Sequence, residues 1–188
     1  MGSRLASAHL HSPYRRVYMA ELIVLRLVHV LGGIFWVGAG LFNLLFLAPA
    51  MAVAGPAAGP MMQVMRQRKM FVVMPTVAIL TILSGLRLMM ITSGNFNAAY
   101  FGTDAGAAFA FGGACAIVAF IVGLALAMPA QKRMGMLGPQ IASAPDDATR
   151  TRLQAEVARL QGRMRVVGPA VTTLLVLAAV AMAVARYV

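Results

Sequence analysis

The sequence predicts an all-α integral membrane protein, a four-helix bundle built from two repeated helical hairpins. Three observations predict it. The 188 residues are 61% hydrophobic and 11% charged, with mean hydropathy +0.82, where a soluble domain carries about 25% charged residues. Four apolar runs, at about 21–51, 70–92, 105–129 and 164–186, are each long enough to span a bilayer as a helix, which takes about 20 residues. None of them alternates polar with apolar residues as a barrel strand would, and lipid admits only helices or closed barrels.

Residues 1–19 form a polar tail with Pro13 and the pair Arg15–Arg16. No short apolar stretch ending in a small-residue cleavage site precedes Leu22, so no removable leader is expected. His9 and His11 form an HxH pair on this tail, an arrangement that binds metal adventitiously more often than functionally. The first span, Leu22–Met51, holds the one histidine within the apolar runs (His29), the one tryptophan (Trp36), several glycines and Asn43. Gly55, Pro56, Gly59 and Pro60 then break the chain before Arg66, Arg68 and Lys69 lead into the second span. The connection at 93–104 holds no Lys or Arg. Cys115, in the third span, is the only cysteine, which excludes an intramolecular disulfide and a CxxC site. The long connection, 130–163, is basic again. Within it Ser143–Asp147 reads as a helix start, with Pro145 and two acids at the positive end of the dipole. Leu153, Val157 and Leu160 follow at helical spacing, so this helix is expected to run into the fourth span as a cytoplasmic extension.

The net charge of +11 and the pI near 11.5 do not point to nucleic acid, because the basic residues lie between apolar runs rather than on one soluble face. Basic residues concentrate in cytoplasmic loops. Loops 52–69 and 130–163 must share a side and together outweigh Arg4, Arg15 and Arg16. Both are placed in the cytoplasm, with the termini and the 93–104 connection outside, as in a multi-pass protein of a bacterial inner membrane.

An internal repeat organises the spans. Gly32-Gly33 followed by Pro49-Ala50 recurs as Gly112-Gly113 followed by Pro129-Ala130, and Lys69–Val77 resembles Arg163–Val171. Both hairpins enter from one side, which makes the repeat parallel, about an axis along the membrane normal. His29 then corresponds to Phe109, Trp36 to Ala116, Asn43 to Gly123 and Arg87 to Ala181. The distinctive side chains sit in the first half, and the second hairpin reads as scaffold.

His29, Gly33, Trp36, Gly40 and Asn43 fall at intervals of four, three, four and three, on one helical face. Small residues on such a face let a helix or a flat cofactor approach, and a neutral imidazole is the commonest metal ligand. The plainer reading is a histidine hydrogen-bonded between helices, with glycines for close packing. Arg87 is expected in the same half of the bundle as Glu21, Arg26 and His29, where it can pair with Glu21, Asp104 or a cofactor carboxylate. Met89 and Met90 lie near Arg87 and could give His29 a soft second ligand. Fifteen methionines are many; they serve as apolar filler or as soft ligands for Cu(I) or haem iron. A bis-histidine haem within one chain is disfavoured, whereas His/Met, five-coordinate His or a site shared across a homodimer stay open. Nothing supports hydrolysis: there is no acid pair, no Ser/His/Asp set and no phosphate loop.

The run LRLVHVLGGIFWVGAGLFNLLFLAPAM, the basic entry to the second span and Ser84-Gly85-Leu86 resemble the copper resistance protein D-like group of bacterial membrane domains over roughly residues 20–92. That resemblance implies a four-helix module related to cytochrome-b-like bundles, with copper or haem b bound at His29; from their placement, Gly33, Trp36 and Arg87 are the residues expected around such a group. The alternative is a non-catalytic accessory subunit of a larger respiratory or photosynthetic membrane complex, in which the glycine faces pack against partners.

Overall fold

The computed structural model describes residues 13–188, and among these the chain contains helices and turns but no strand. His9 and His11 lie outside the described residues. Helix α1 (Pro13–Phe42), a π-helical turn (Asn43–Leu47) and α2 (Ala48–Ala54) form one continuous rod. A 3-10 turn (Gly55–Ala58) and the short α3 (Gly59–Gln67) lead to α4 (Met70–Thr92). The single turn α5 (Ala98–Phe101) precedes α6 (Asp104–Val122), which continues through a second π-helical turn (Gly123–Ala127) into α7 (Met128–Ala142). The last helix, α8 (Asp147–Val184), returns along the bundle.

Four helical segments are long and apolar enough to cross a membrane: Val17–Ala54, Met70–Thr92, Asp104–Ala142 and Asp147–Val184. Large apolar side chains point away from the bundle on each of them, among them Leu31 and Ile34, Leu80 and Leu83, Phe111 and Ile121, and Val180. Apolar surface distributed in this way suits lipid, not water. α1 packs chiefly on α4 and α6 chiefly on α8, while α1–α8 and α4–α6 contacts close the ring. The expected hairpins are therefore the two tightest pairs.

Close packing within each hairpin rests on a glycine. A side chain at Gly32 would collide with the Thr81 hydroxyl, and a Cβ at Gly112 would sit 3.0 Å from the Ala178 carbonyl oxygen. Where the four helices meet, Trp36, Ala78, Ala119 and Leu175 form the buried core, one from each of α1, α4, α6 and α8. Trp36 meets Phe120 edge to face, with ring centroids 6.3 Å apart.

The long connection is more helical than its composition suggests. The third helix does not end at Pro129 but runs to Ala142, leaving only residues 143–146 between it and α8. The reason lies just before the proline. Proline has no N–H, and its ring crowds the carbonyl four residues back. Ahead of Pro49 and again ahead of Pro129 the helix widens: the Ala48 N–H reaches the Asn43 carbonyl and the Met128 N–H reaches that of Gly123, each five residues back. A one-turn bulge of this kind absorbs the proline without breaking the rod. The two bulges are eighty residues apart, the same offset that relates the two Gly-Gly and Pro-Ala pairs. The expected start of α8 is present: Asp146 is its N-cap and accepts from the Thr149 N–H at 2.6 Å.

The start of α1, the 93–103 connection and the end of α8 share one end of the bundle, here called the terminal end. The connections 55–69 and 143–146 share the other. That second end carries Arg66, Arg68, Lys69, Lys132, Arg133, Arg150, Arg152, Arg159, Arg163 and Arg165, ten of the sixteen basic residues, and is called the basic end.

Candidate functional site

At the terminal end two of the distinctive residues, His29 and Arg87, are each engaged with a partner on the facing helix. The His29 Nδ1 lies 2.8 Å from the main-chain oxygen of Thr81. A carbonyl can only accept, so Nδ1 carries a proton and donates it to this contact. The ring lies against the α4 backbone at Gly85, where a Cβ would fall 2.6 Å from the His29 Cε1. Ser84 adds a second donor to the same Thr81 carbonyl, at 3.0 Å. His29 thus ties α1 to α4 across the hairpin, and Gly33 sits against the Thr81 methyl group. Farther along the same helix Gly40 turns to Thr172 of α8. The glycine face therefore meets two different helices.

Arg87 is paired with Glu21: its Nε donates to Oε1 at 2.7 Å and its terminal nitrogen lies 2.6 Å from the same oxygen. Of the three carboxylates considered for Arg87, the one in contact is a protein residue. Met89 follows Gly85 by four residues on the same face of α4, about 6 Å farther along the axis, and Met90 is turned about 100° from it. Both are half-buried. Among the described residues no group of three or more His, Cys, Asp or Glu side chains converges as a metal site.

The basic end is built differently. Below the core a cavity of about 950 Å³ opens between the helices, with Trp36, Ala78, Ala119 and Phe120 as its roof. It exists because α4 begins only at Met70, while α2, α7 and the first half of α8 run on past that level. The short α3 crosses below and contributes Met62 and Met65. α3 is flanked by two residues with positive φ, Gly55 at 52° and Lys69 at 58°. At Gly55 the lack of a Cβ makes this turn inexpensive. The wall is largely apolar and rich in sulfur: eight of the fifteen methionines face it, including Met51, Met70, Met74, Met128 and Met164. Its polar side chains are Asn43, Gln131, Gln161 and Arg165, and no Asp or Glu is among its lining residues.

Both hairpins supply this wall from matching positions. The offsets of 80 and 94 residues that align the halves pair Leu44 with Leu124, Met70 with Met164, Phe71 with Arg165 and Pro75 with Pro169, and every one of these residues lines the cavity. Both π-helical turns line it too. The matches are least alike where chemistry enters: Arg165 stands opposite Phe71, Gln131 opposite Met51, and Asn43 opposite Gly123. The second hairpin, read from sequence as scaffold, thus provides three of the four polar side chains. Sequence reasoning missed these three because Gln131, Gln161 and Arg165 lie in or beside stretches that look like ordinary basic loop. The signal that could have found them was the pairing of Met70 with Met164 in the two halves.

Beyond the cavity α7 and α8 are held together by Arg133 and Glu156. The Arg133 Nε and a terminal nitrogen donate to the two carboxylate oxygens at 2.7 and 3.0 Å. That hydrogen bonding, with the charge attraction, holds the Glu156 carboxyl below its ordinary value and the Arg133 guanidinium above its own. Asp146 is likewise lowered, by the Thr149 hydrogen bonds at the α8 cap. Arg165 makes none of the salt bridges found among the described residues. No family model, curated protein or solved structure matches this chain.

Proposed function

We propose that this chain is a multi-pass binding protein of a bacterial cytoplasmic membrane. It comprises two repeated hairpins with the basic end toward the cytoplasm, and it takes a small apolar-bodied molecule into the cavity between them. The observation that carries this reading is the cavity, lined from both hairpins at corresponding positions. Its volume of about 950 Å³ falls near the top of the range of roughly 300–1,000 Å³ seen for small-molecule sites, and such sites combine apolar walls with a few polar groups. Methionine walls suit ligands of irregular shape, because the thioether chain is flexible and polarisable. Positive residues at the basic end support the orientation, and the two π-helical turns at one offset support the repeat.

Trp36, the only tryptophan, lines the cavity and reports on it. A dibrominated octadecane added to the protein in mild detergent is expected to quench Trp36 emission. Gly168→Leu is expected to abolish the quenching, since Gly168 lines the cavity and a Cβ there meets nothing within 4 Å. Equal quenching of both proteins would overturn the reading.

A second reading keeps the metal or haem of the copper-handling, cytochrome-b-like type at His29. One observation favours it: a ring whose Nδ1–H is held by a carbonyl presents its other nitrogen in the form that ligates metals. The absorption spectrum and metal content of purified protein, wild type and His29→Ala, test it. Bound haem or copper lost on substitution would support it, and the absence of both from the wild type would remove it.

A further inference from the structure

We infer that the molecule held in this cavity is an anionic amphiphile, a single apolar chain or ring system ending in a carboxylate or phosphate, whose charge is received by Arg165. The inference rests on the cavity being a ligand site at all. Its own support is the placement of charge. Trp36 lines one end of the cavity, and three of its four polar lining side chains, Gln131, Gln161 and Arg165, lie on α7 and α8 toward the basic end. Arg165 stands exposed at the rim of this apolar hollow, free to receive an anion, and neither an Asp nor a Glu among the lining residues competes for it. The nearest ion pair on the same two helices, Arg133–Glu156, is already closed on itself. Guanidinium geometry fits carboxylate and phosphate oxygens two at a time, and the two glutamines can complete the set with their amide donors.

Proline chemistry makes the mouth more polar without adding charge. Pro169 has no N–H, so the Arg165 carbonyl loses its helical partner, and Pro75 does the same for Phe71 across the cavity. An acid headgroup carrying a hydroxyl or a bound proton finds acceptors there. The apolar part then lies among methionines, with its far end against Trp36. Arg165 also marks where the two halves part. Its counterpart, Phe71, is apolar, so the ligand has one charged end and one orientation.

One chemistry can come from two sources, a lipid of the surrounding leaflet or a free amphiphile such as a fatty acid. The test separates them. In mild detergent, 9,10-dibromostearate and the corresponding dibrominated alcohol are titrated against Trp36 fluorescence in wild type and Arg165→Gln. The anion is expected to bind the wild type about tenfold or more tightly than the alcohol, the size that a charge-assisted hydrogen bond implies. Arg165→Gln is expected to erase that difference while leaving the alcohol unchanged. Quenching by both probes with equal affinity in wild type would overturn the anionic ligand yet leave the cavity as a binding site. Quenching by neither would overturn the cavity reading itself. In vesicles, stronger quenching by brominated phosphatidylglycerol than by brominated phosphatidylcholine assigns the leaflet as source. Equal quenching by the two lipids, together with tight dibromostearate binding, assigns the free amphiphile. Arg165→Lys keeps the charge and is expected to retain part of the preference, which shows that the loss in Arg165→Gln is not a failure to fold.

Discussion

At the terminal end of this bundle His29 and Arg87 are bonded to protein partners, and at the basic end Gln131, Gln161 and Arg165 line a hollow. His29 is tied to Thr81 and Arg87 to Glu21, with glycines bringing the helices into contact around them. Beginning fourteen residues after His29 in the same rod, a π-helical turn, its counterpart in the third span and three prolines line the hollow. The difference teaches that conspicuous residues and available residues need not coincide. A histidine in an apolar helix is easy to see because burying it is costly, and the same cost is why it is found already bonded.

This contrast predicts opposite responses to added bulk. Gly32→Val and Gly112→Val push a side chain into Thr81 or into the Ala178 carbonyl, and each should destabilise the protein by about 1–3 kcal/mol, the usual cost of overpacking. Gly168→Leu, which enters open space, should stay within about 0.5 kcal/mol of wild type. Reversible unfolding in mixed micelles, followed by Trp36 emission, measures all three, and a cost at Gly168 equal to that at Gly32 would break the comparison.

A smaller effect is expected from untying His29. Replacing it with Gln should cost about 0.6–1.7 kcal/mol, the range measured for hydrogen bonds between membrane helices. Gly85→Ala should displace the ring without removing it, read as loss of the Nδ1-protonated tautomer in imidazole nitrogen spectra. Smaller still, Arg87→Gln should cost less than about 1 kcal/mol and less again at high salt, because the pair with Glu21 is partly exposed.

The least effect concerns pH. Glu156 and Asp146 have lowered folded-state values, so their contribution is present above the ordinary carboxylate range and is lost as pH falls through those lowered values. Hydrogen exchange in the α7–α8 extension, corrected for intrinsic rates, should therefore speed up on acidification. Glu156→Gln should raise exchange at neutral pH and flatten the change.

How far the structure could be read from sequence follows from which physics is local. The four helices are legible because solvation by lipid acts on every residue of a run. The cap at Asp146 and the pairing of α1 with α4 and α6 with α8 are also legible, from turn chemistry and from the Gly-Gly and Pro-Ala matches. The bulges at Asn43 and Gly123 are not, although Pro49 and Pro129 cause them, because a proline in an apolar run can kink, bulge or end a helix equally well. The cavity was less legible still. It depends on α4 starting at Met70 while its neighbours continue, a difference of lengths between segments that no single stretch records. His29, Trp36 and Arg87 were found as residues, but the company each keeps required three dimensions.

The most direct test is to identify what copurifies. Organic extracts of wild type, Gly168→Leu and His29→Ala, prepared in the same mild detergent, are compared by mass spectrometry. An amphiphile at about one per chain in wild type and His29→Ala but missing from Gly168→Leu is the expected result. Retention in Gly168→Leu, or loss in His29→Ala alone, would contradict the assignment of function to the basic end.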